Sequence, residues 1–105
     1  YYAGPGQYEI ASYSSRGPTT YGQIGPAIAA PADPVRTSTT GGNSAYTYSF
    51  NGTSSASPHT AGEVALIWSA QPELIGQIEM TEWLIEDTAV PVFDDSAAWR
   101  NEHTN

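Results

Sequence analysis

Ser54 is the residue of this chain whose type and setting most favour chemistry. Upstream of it, residues 46–50 alternate aromatic with hydroxyl side chains, a pattern that predicts a short strand. Gly52 permits a tight turn with close backbone approach, and a helix is predicted to begin at Thr53. The first amides of a helix lack partners within the helix and carry partial positive charge, so they would stabilise an oxyanion formed beside Ser54. The pattern indicates a candidate serine nucleophile.

The same residues also fit a purely structural role. A serine or threonine in front of a helix usually serves as its N-cap, accepting a hydrogen bond from a first-turn amide. A serine hydroxyl is, moreover, a weak nucleophile at neutral pH unless a neighbouring base accepts its proton. No histidine precedes Ser54, and the acids upstream of it are Glu9 and Asp33. On spacing alone, both interpretations stay open.

The helix predicted over residues 53–70 is apolar around most of its circumference, which is typical of a buried helix. Its strongly polar window consists of His59 and Glu63, four residues apart on one face. We expect Glu63 to be partly shielded and beside His59, because a carboxylate on a buried helix is costly without a partner. Pro58 is predicted in the first turn, where its missing N–H costs little. Pro72 ends the helix.

The remaining segments predict further helical and extended elements. A second helix, over about residues 77–87, is amphipathic and should lie on the surface. Its polar face carries three acids: Glu79, Glu82 and Glu86. Two more short strands are predicted, at residues 9–14 and 27–30, and a surface loop at residues 37–44. Helices and strands together predict an α/β fold class.

The charge balance excludes several kinds of partner. The 105 residues include eleven acids and three arginines but no lysine, for a net charge of −8. Binding to nucleic acid or to an anionic membrane surface depends on Lys and Arg, so we expect neither partner. The absence of cysteine excludes a disulfide framework. Tyr1 opens the chain in place of methionine, which suggests a fragment or a processed product, so the lack of a signal peptide does not exclude secretion.

Two weaker patterns favour ordinary surface residues. The acid pairs at residues 86–87 and 94–95 are of the ligand type that Ca²⁺ prefers, but we interpret them as solvated side chains and expect no metal and no cofactor. Residues 51–53 read Asn-Gly-Thr and match the N-glycosylation pattern. A glycan there would block the turn before Ser54, so coincidence is the favoured interpretation.

A longer stretch connects these residues to a known family. Residues 52–62 read Gly-Thr-Ser-Ser-Ala-Ser-Pro-His-Thr-Ala-Gly, which resembles the serine signature of the subtilisin-like peptidases, Gly-Thr-Ser-x-Ala-x-Pro-His-x-Ala-Gly. Every specified position of that signature is met. Three flanking segments are similar to other parts of the family: residues 10–18, 28–31 and 83–89. The resemblance covers about residues 8–91, in the family's order.

The resemblance implies a role for each matching residue. Ser54 looks like the nucleophile that forms the acyl-enzyme, and its backbone N–H would supply one oxyanion donor. The substrate-binding residues just before it would be Phe50, Asn51, Gly52 and Thr53. His59 lies within the signature, but the family's general base is a different histidine that precedes the serine in the chain. We therefore expect His59 to be structural.

The chain departs from the family's pattern at a few positions. Ala32 stands where the family has a glycine after Ala-Pro, so the turn there is expected to differ. Ser55 replaces a typical methionine, and Thr60 replaces a typical valine. Glu63 takes the place of a small apolar residue.

The resemblance also implies a fold, a domain and an activity. Residues 1–105 would be the C-terminal portion of a peptidase domain that is incomplete at its N-terminal side, with an α/β three-layer sandwich and a mainly parallel sheet. The complete parent would be a secreted serine endopeptidase acting on polypeptides. The fragment alone is expected to be inactive, since the family's catalytic aspartate and histidine and its oxyanion-hole asparagine lie upstream. The alternatives are a non-catalytic remnant that acts as a binding or structural fragment, and an unrelated secreted binding domain.

Overall fold

The structure is a computed structural model that describes residues 9–92. Its four main elements follow one another along the chain as β1 (Val35–Ser38), β2 (Tyr46–Phe50), α1 (Thr53–Ala70) and α2 (Ile78–Thr88). A short 3₁₀ helix, Pro72–Leu74, joins the two helices. The described residues thus combine helices with a sheet, as the sequence predicts. That sheet has two antiparallel strands, and the mainly parallel sandwich implied by the resemblance is larger than residues 9–92.

The hairpin formed by β1 and β2 contains a bulge. Its opposed residues are Val35 and Phe50, Thr37 and Thr47, and Ser38 and Tyr46. The register shifts between Val35 and Thr37, so β2 uses one residue more than β1 over that stretch. A bulge bends and twists the strand that carries it, so the direction of β2 changes near its end. The loop predicted over residues 37–44 begins later than expected, because its first two residues belong to β1.

Two of the predicted strands are wrong. Residues 9–14 contain a turn, in which the Ser14 N–H donates to the Ala11 carbonyl at 2.9 Å. Residues 27–30 are irregular. A strand is stable only when its backbone groups pair with a neighbouring strand, and neither segment has such a neighbour within residues 9–92.

The two helices were predicted more accurately. α1 begins and ends at the expected residues, and α2 lies one residue further along the chain than expected. The expectation for Pro58 is wrong, because α1 begins at Thr53 and Pro58 is its sixth residue, past the first turn. At that position a residue other than proline would donate its N–H to the carbonyl of Ser54.

A hydrogen bond between Trp68 and Thr81 joins α1 to α2. Ile85, 7% exposed, is the one buried hydrophobic residue within the described part of the chain. The Trp68 indole Nε1–H donates to Thr81 Oγ1 at 3.0 Å, and the same hydroxyl donates to the Gln77 carbonyl at 2.7 Å. The buried hydroxyl of Thr81 is therefore satisfied both as an acceptor and as a donor.

The prediction that α1 is buried does not hold within residues 9–92. Ser55 is its one buried residue, and Leu66 is 73% exposed. Four neighbouring small or polar residues are also exposed: Ala61, Gly62, Glu63 and Ala65. A helix that is apolar on nearly all sides needs neighbours on all sides, and the described elements cover one side of it.

We expect the 105-residue chain, purified alone, to have no cooperative fold. Ordering the backbone costs about 1–2 kcal/mol per residue, and a core with so little buried apolar surface cannot offset that cost. The measurements are near-UV circular dichroism and amide exchange, with a flat spectrum and rapid exchange expected throughout α1. A cooperative thermal transition together with slowly exchanging amides in residues 60–68 would contradict this prediction.

Candidate active site

Gly52 is the residue that turns the chain from β2 into α1. Its φ of 95° and ψ of 175° lie in a region that is essentially restricted to glycine. An added Cβ would find its nearest neighbour, the Ser54 nitrogen, 4.0 Å away. The backbone angles, rather than a lack of space, therefore require glycine at this turn.

Two backbone hydrogen bonds hold this turn in place. The Gly52 N–H donates to the Ala32 carbonyl at 3.1 Å, and the Gly52 carbonyl accepts from the Ser55 N–H at 2.9 Å. Sequence reasoning did not identify Ala32 as the anchor of the nucleophile turn. The one signal at that position was the departure from the family's glycine. The structure therefore links the apolar segment that ends near Pro31 directly to the start of α1.

Ser54 is the second residue of α1, and its side chain is exposed. The N-cap of α1 is Gly52, and no side chain makes a capping hydrogen bond. The interpretation of this serine as an N-cap is therefore wrong. Its hydroxyl also makes no hydrogen bond to another group within residues 9–92. The structure leaves the hydroxyl accessible at the start of the helix.

The backbone around Ser54 presents hydrogen-bond donors to solvent. The Ser55 N–H donates a hydrogen bond to the Gly52 carbonyl. The N–H groups of Thr53 and Ser54 lie at the start of the helix, where no intrahelical acceptor exists. No acidic residue lies in the first turn to offset the partial positive charge of these amides. An oxyanion formed next to the Ser54 hydroxyl would meet a favourable potential here.

Ser55, the neighbour of the candidate nucleophile, is 1% exposed. Its Oγ is buried without a hydrogen-bond partner in the described part of the chain. A buried hydroxyl with no partner destabilises the fold by about 1–3 kcal/mol. An apolar side chain would carry no such cost, so this departure from the family's pattern is energetically unfavourable within residues 9–92.

His59 does not lie next to the candidate nucleophile. It lies five positions after Ser54 in the helix, which places the two side chains about 140° apart around the helix axis. Its ring Nδ1 lies 2.8 Å from the Ser55 carbonyl. Because a carbonyl can only accept, Nδ1 is the donor in this hydrogen bond. The ring is therefore held by its own helix.

The expected pair of Glu63 with His59 is not formed. Glu63 is exposed and makes no ion pair with any residue of the range 9–92. The reason is that this side of α1 has no cover within the described residues, so the carboxylate remains in water and needs no partner.

The four predicted substrate-binding residues lie directly before Ser54. Phe50 ends β2 and is 41% exposed, Asn51 and Thr53 are exposed, and Gly52 is partly buried. A ligand could therefore contact three of these side chains together with the serine.

Two further features of the described residues bear on the site. No group of three His, Cys, Asp or Glu side chains within residues 9–92 is arranged to hold a metal ion. The acid pair at residues 86–87 is exposed on α2, and the pair at 94–95 lies outside the described residues. Neither α1 nor α2 combines the length and the apolar character that a membrane span requires.

Comparison with known proteins identifies two matches. The model of the subtilase family matches residues 6–103 of the chain. Bacillopeptidase F of Bacillus subtilis (strain 168) is 33% identical over 88 residues, which make up 84% of this chain and 6% of that protein. The chain thus spans a small part of this relative's length. No solved structure matches the chain.

We expect Gly52→Ala, made in the natural full-length protein, to reduce both stability and the reactivity of Ser54. The substitution forces alanine into a glycine-only conformation, at a cost of about 1–3 kcal/mol, and displaces the start of α1. The measurements are urea unfolding and the rate at which a fluorophosphonate modifies Ser54, corrected for the folded fraction.

Gly22→Ala is the matched control, because Gly22 also has a positive φ (78°) and open space around the added Cβ, but lies in the loop before β1. It should lower stability and leave the corrected rate of modification unchanged. An unchanged rate in Gly52→Ala would show that the turn does not position the serine.

Proposed function

The chain belongs to the subtilase family, and we propose that residues 1–105 are the nucleophile-bearing C-terminal portion of a subtilisin-like serine endopeptidase domain. The observation that carries the proposal is the setting of Ser54. The signature over residues 52–62 falls on a glycine turn and a helix start, and the serine hydroxyl is exposed and unbonded within residues 9–92. A polypeptide is the substrate class that peptidase chemistry implies.

In the proposed mechanism, Ser54 Oγ attacks the carbonyl carbon of the scissile peptide bond while a general base takes its proton. The Ser54 N–H, at the positive end of α1, stabilises the tetrahedral oxyanion. The C–N bond then breaks, the base returns its proton to the leaving amine, and an ester remains on Ser54. Water, activated by the same base, hydrolyses the ester and restores the serine.

The base of this mechanism must come from outside residues 9–92. His59 is the one histidine in that range, and its ring is bonded to its own helix on another side of α1. In the family, the catalytic aspartate, the catalytic histidine and the oxyanion-hole asparagine all precede the serine. We infer that an N-terminal part of the same domain supplies them.

The uncovered surface of α1 supports the same inference. An all-round apolar helix with Leu66 73% exposed is suited to neighbours that residues 9–92 do not contain. In the proposed parent, α1 packs within a three-layer α/β sandwich with a mainly parallel sheet, whose two faces must both be covered.

The partners and location of the parent follow from the family and from charge. With a net charge of −8, the chain is unsuited to nucleic acid and to anionic membranes. We propose an extracellular location on the family resemblance.

A non-catalytic remnant is the second candidate function. The observation in its favour is the lack of a base near Ser54 within residues 9–92. The coding sequence upstream discriminates between the two candidates: Asp-Ser/Thr-Gly and His-Gly-x-His segments in the same reading frame support the peptidase.

We expect Ser54→Ala in the full-length protein to abolish turnover and leave substrate binding largely intact, because only the nucleophile is lost. Loss of the catalytic serine lowers kcat of subtilisin by about a millionfold, which sets the scale. A fluorophosphonate should label Ser54, and Ser57→Ala, which alters another exposed serine of α1, should change neither labelling nor turnover. Labelling at Ser55 or Ser57 would overturn the assignment.

We expect the isolated 105-residue chain to have no activity on casein. Without a base, the serine hydroxyl remains a weak nucleophile at neutral pH. Casein cleavage that disappears in the Ser54→Ala chain would contradict this expectation, and it would make His59 or His103 a candidate base.

A further inference from the structure

Arg36 forms an exposed stack with two tyrosines on the β1–β2 hairpin. Its guanidinium carbon lies 3.9 Å from the centre of the Tyr46 ring and 5.8 Å from that of Tyr48. The two rings are 51% and 67% exposed. The sequence pattern of alternating aromatics predicted the strand and did not predict this stack, because the register that brings Arg36 over the rings is a property of the paired hairpin.

Arg36 has no carboxylate partner within residues 9–92. Asp33, the acid closest to it in sequence, accepts a hydrogen bond from the Tyr13 hydroxyl at 3.4 Å. A guanidinium that stacks on a ring still presents its N–H groups in its own plane, in a fork that matches the two oxygens of a carboxylate. The rings hold this fork in place and reduce the side-chain entropy that binding would cost.

The stack lies on the strand that leads into the nucleophile turn. Tyr46 is four residues before Phe50, which at a rise of about 3.3 Å per residue is about 13 Å along β2. An extended peptide that runs from Ser54 past Phe50 and then alongside β2 would cover the strand itself with about four residues. On that path, a substrate side chain several residues from the scissile bond comes near Arg36.

We propose that Arg36, held by Tyr46 and Tyr48, is a specificity-determining residue that binds an Asp or Glu side chain of the polypeptide substrate, a few residues from the scissile bond. This inference rests on the proposed peptidase function. The charge of the chain supports it, because residues 1–105 carry a net charge of −8 and a local cation offsets their repulsion of an acidic segment.

The first test measures binding in the full-length protein with Ser54→Ala, so that cleavage does not interfere. Acetylated and amidated peptides that differ by Asp or Asn at one position are compared, with that position moved along the peptide. At one position the Asp peptide should bind about two- to fivefold tighter, the range that exposed ion pairs give. The preference should decline as salt rises from about 0.05 M to about 0.5 M.

Variants assign the preference to a residue. Arg36→Gln should remove it, and Arg36→Lys should retain part of it, because the charge stays and the planar fork is lost. Gln23→Glu, at an exposed loop residue, makes the same change in net charge and should have no effect. The proposal is overturned if the Asp preference survives Arg36→Gln, or if the Asp and Asn peptides lose binding equally. Arg36 would then serve only to stabilise the hairpin through its contact with the tyrosine rings.

The second test separates this proposal from the proposed function. The kcat/KM values of the same peptides are measured with Ser54 intact. Cleavage without any Asp preference overturns the role of Arg36 and leaves the peptidase function standing. An Asp preference in binding that is lost in Arg36→Gln, in a protein that neither cleaves peptides nor reacts with a fluorophosphonate, supports the acidic-segment site and overturns the peptidase function.

Discussion

The site depends first on the backbone conformation of Gly52. With φ at 95° and ψ at 175°, this residue directs the chain out of β2 and into α1 within one step. The hydrogen bond from the Gly52 N–H to the Ala32 carbonyl holds this turn against a segment twenty residues earlier in the chain. The position of the serine, the direction of its amide and the exposure of its hydroxyl all follow from this turn, because Ser54 is two residues beyond it.

One helix carries both the candidate nucleophile and apolar side chains that are exposed within residues 9–92, Leu66 among them. Within residues 9–92, α1 lacks neighbours on most sides, and Ser54 at its start lacks a base. The missing neighbours and the missing base have the same physical origin. An all-round apolar helix needs packing partners, and a serine nucleophile needs a general base; both come from distant parts of a larger fold. A protein element that provides the missing base next to Ser54 would also have to pack near the start of α1. Completion of the core and completion of the site are therefore coupled.

The sequence predicted those features that local rules determine. The bounds of α1 and the strand β2 follow from periodicity, from glycine and proline positions and from the signature at residues 52–62. The predictions of strands at residues 9–14 and 27–30 were wrong, because a strand forms only when it pairs with another strand that can be distant in sequence. The same dependence explains Glu63, whose expected shielding required a buried helix face. The Ala32 anchor and the Arg36 stack were not predictable, since both join residues far apart in sequence.

Unsatisfied polar groups concentrate in the first residues of α1. The N–H groups of Thr53 and Ser54 have no intrahelical acceptor, and the hydroxyl of Ser55 is buried without a partner within residues 9–92. Pro58 has no N–H to offer the Ser54 carbonyl, which would otherwise complete a helical hydrogen bond. The buried Ser55 hydroxyl costs about 1–3 kcal/mol, whereas the exposed amides can bond to water. Donors that are free in the resting protein can bind an oxyanion without first breaking another bond, which is what stabilisation of a transition state requires. The lack of intrahelical acceptors at this helix start thus leaves its amides available to an oxyanion beside Ser54.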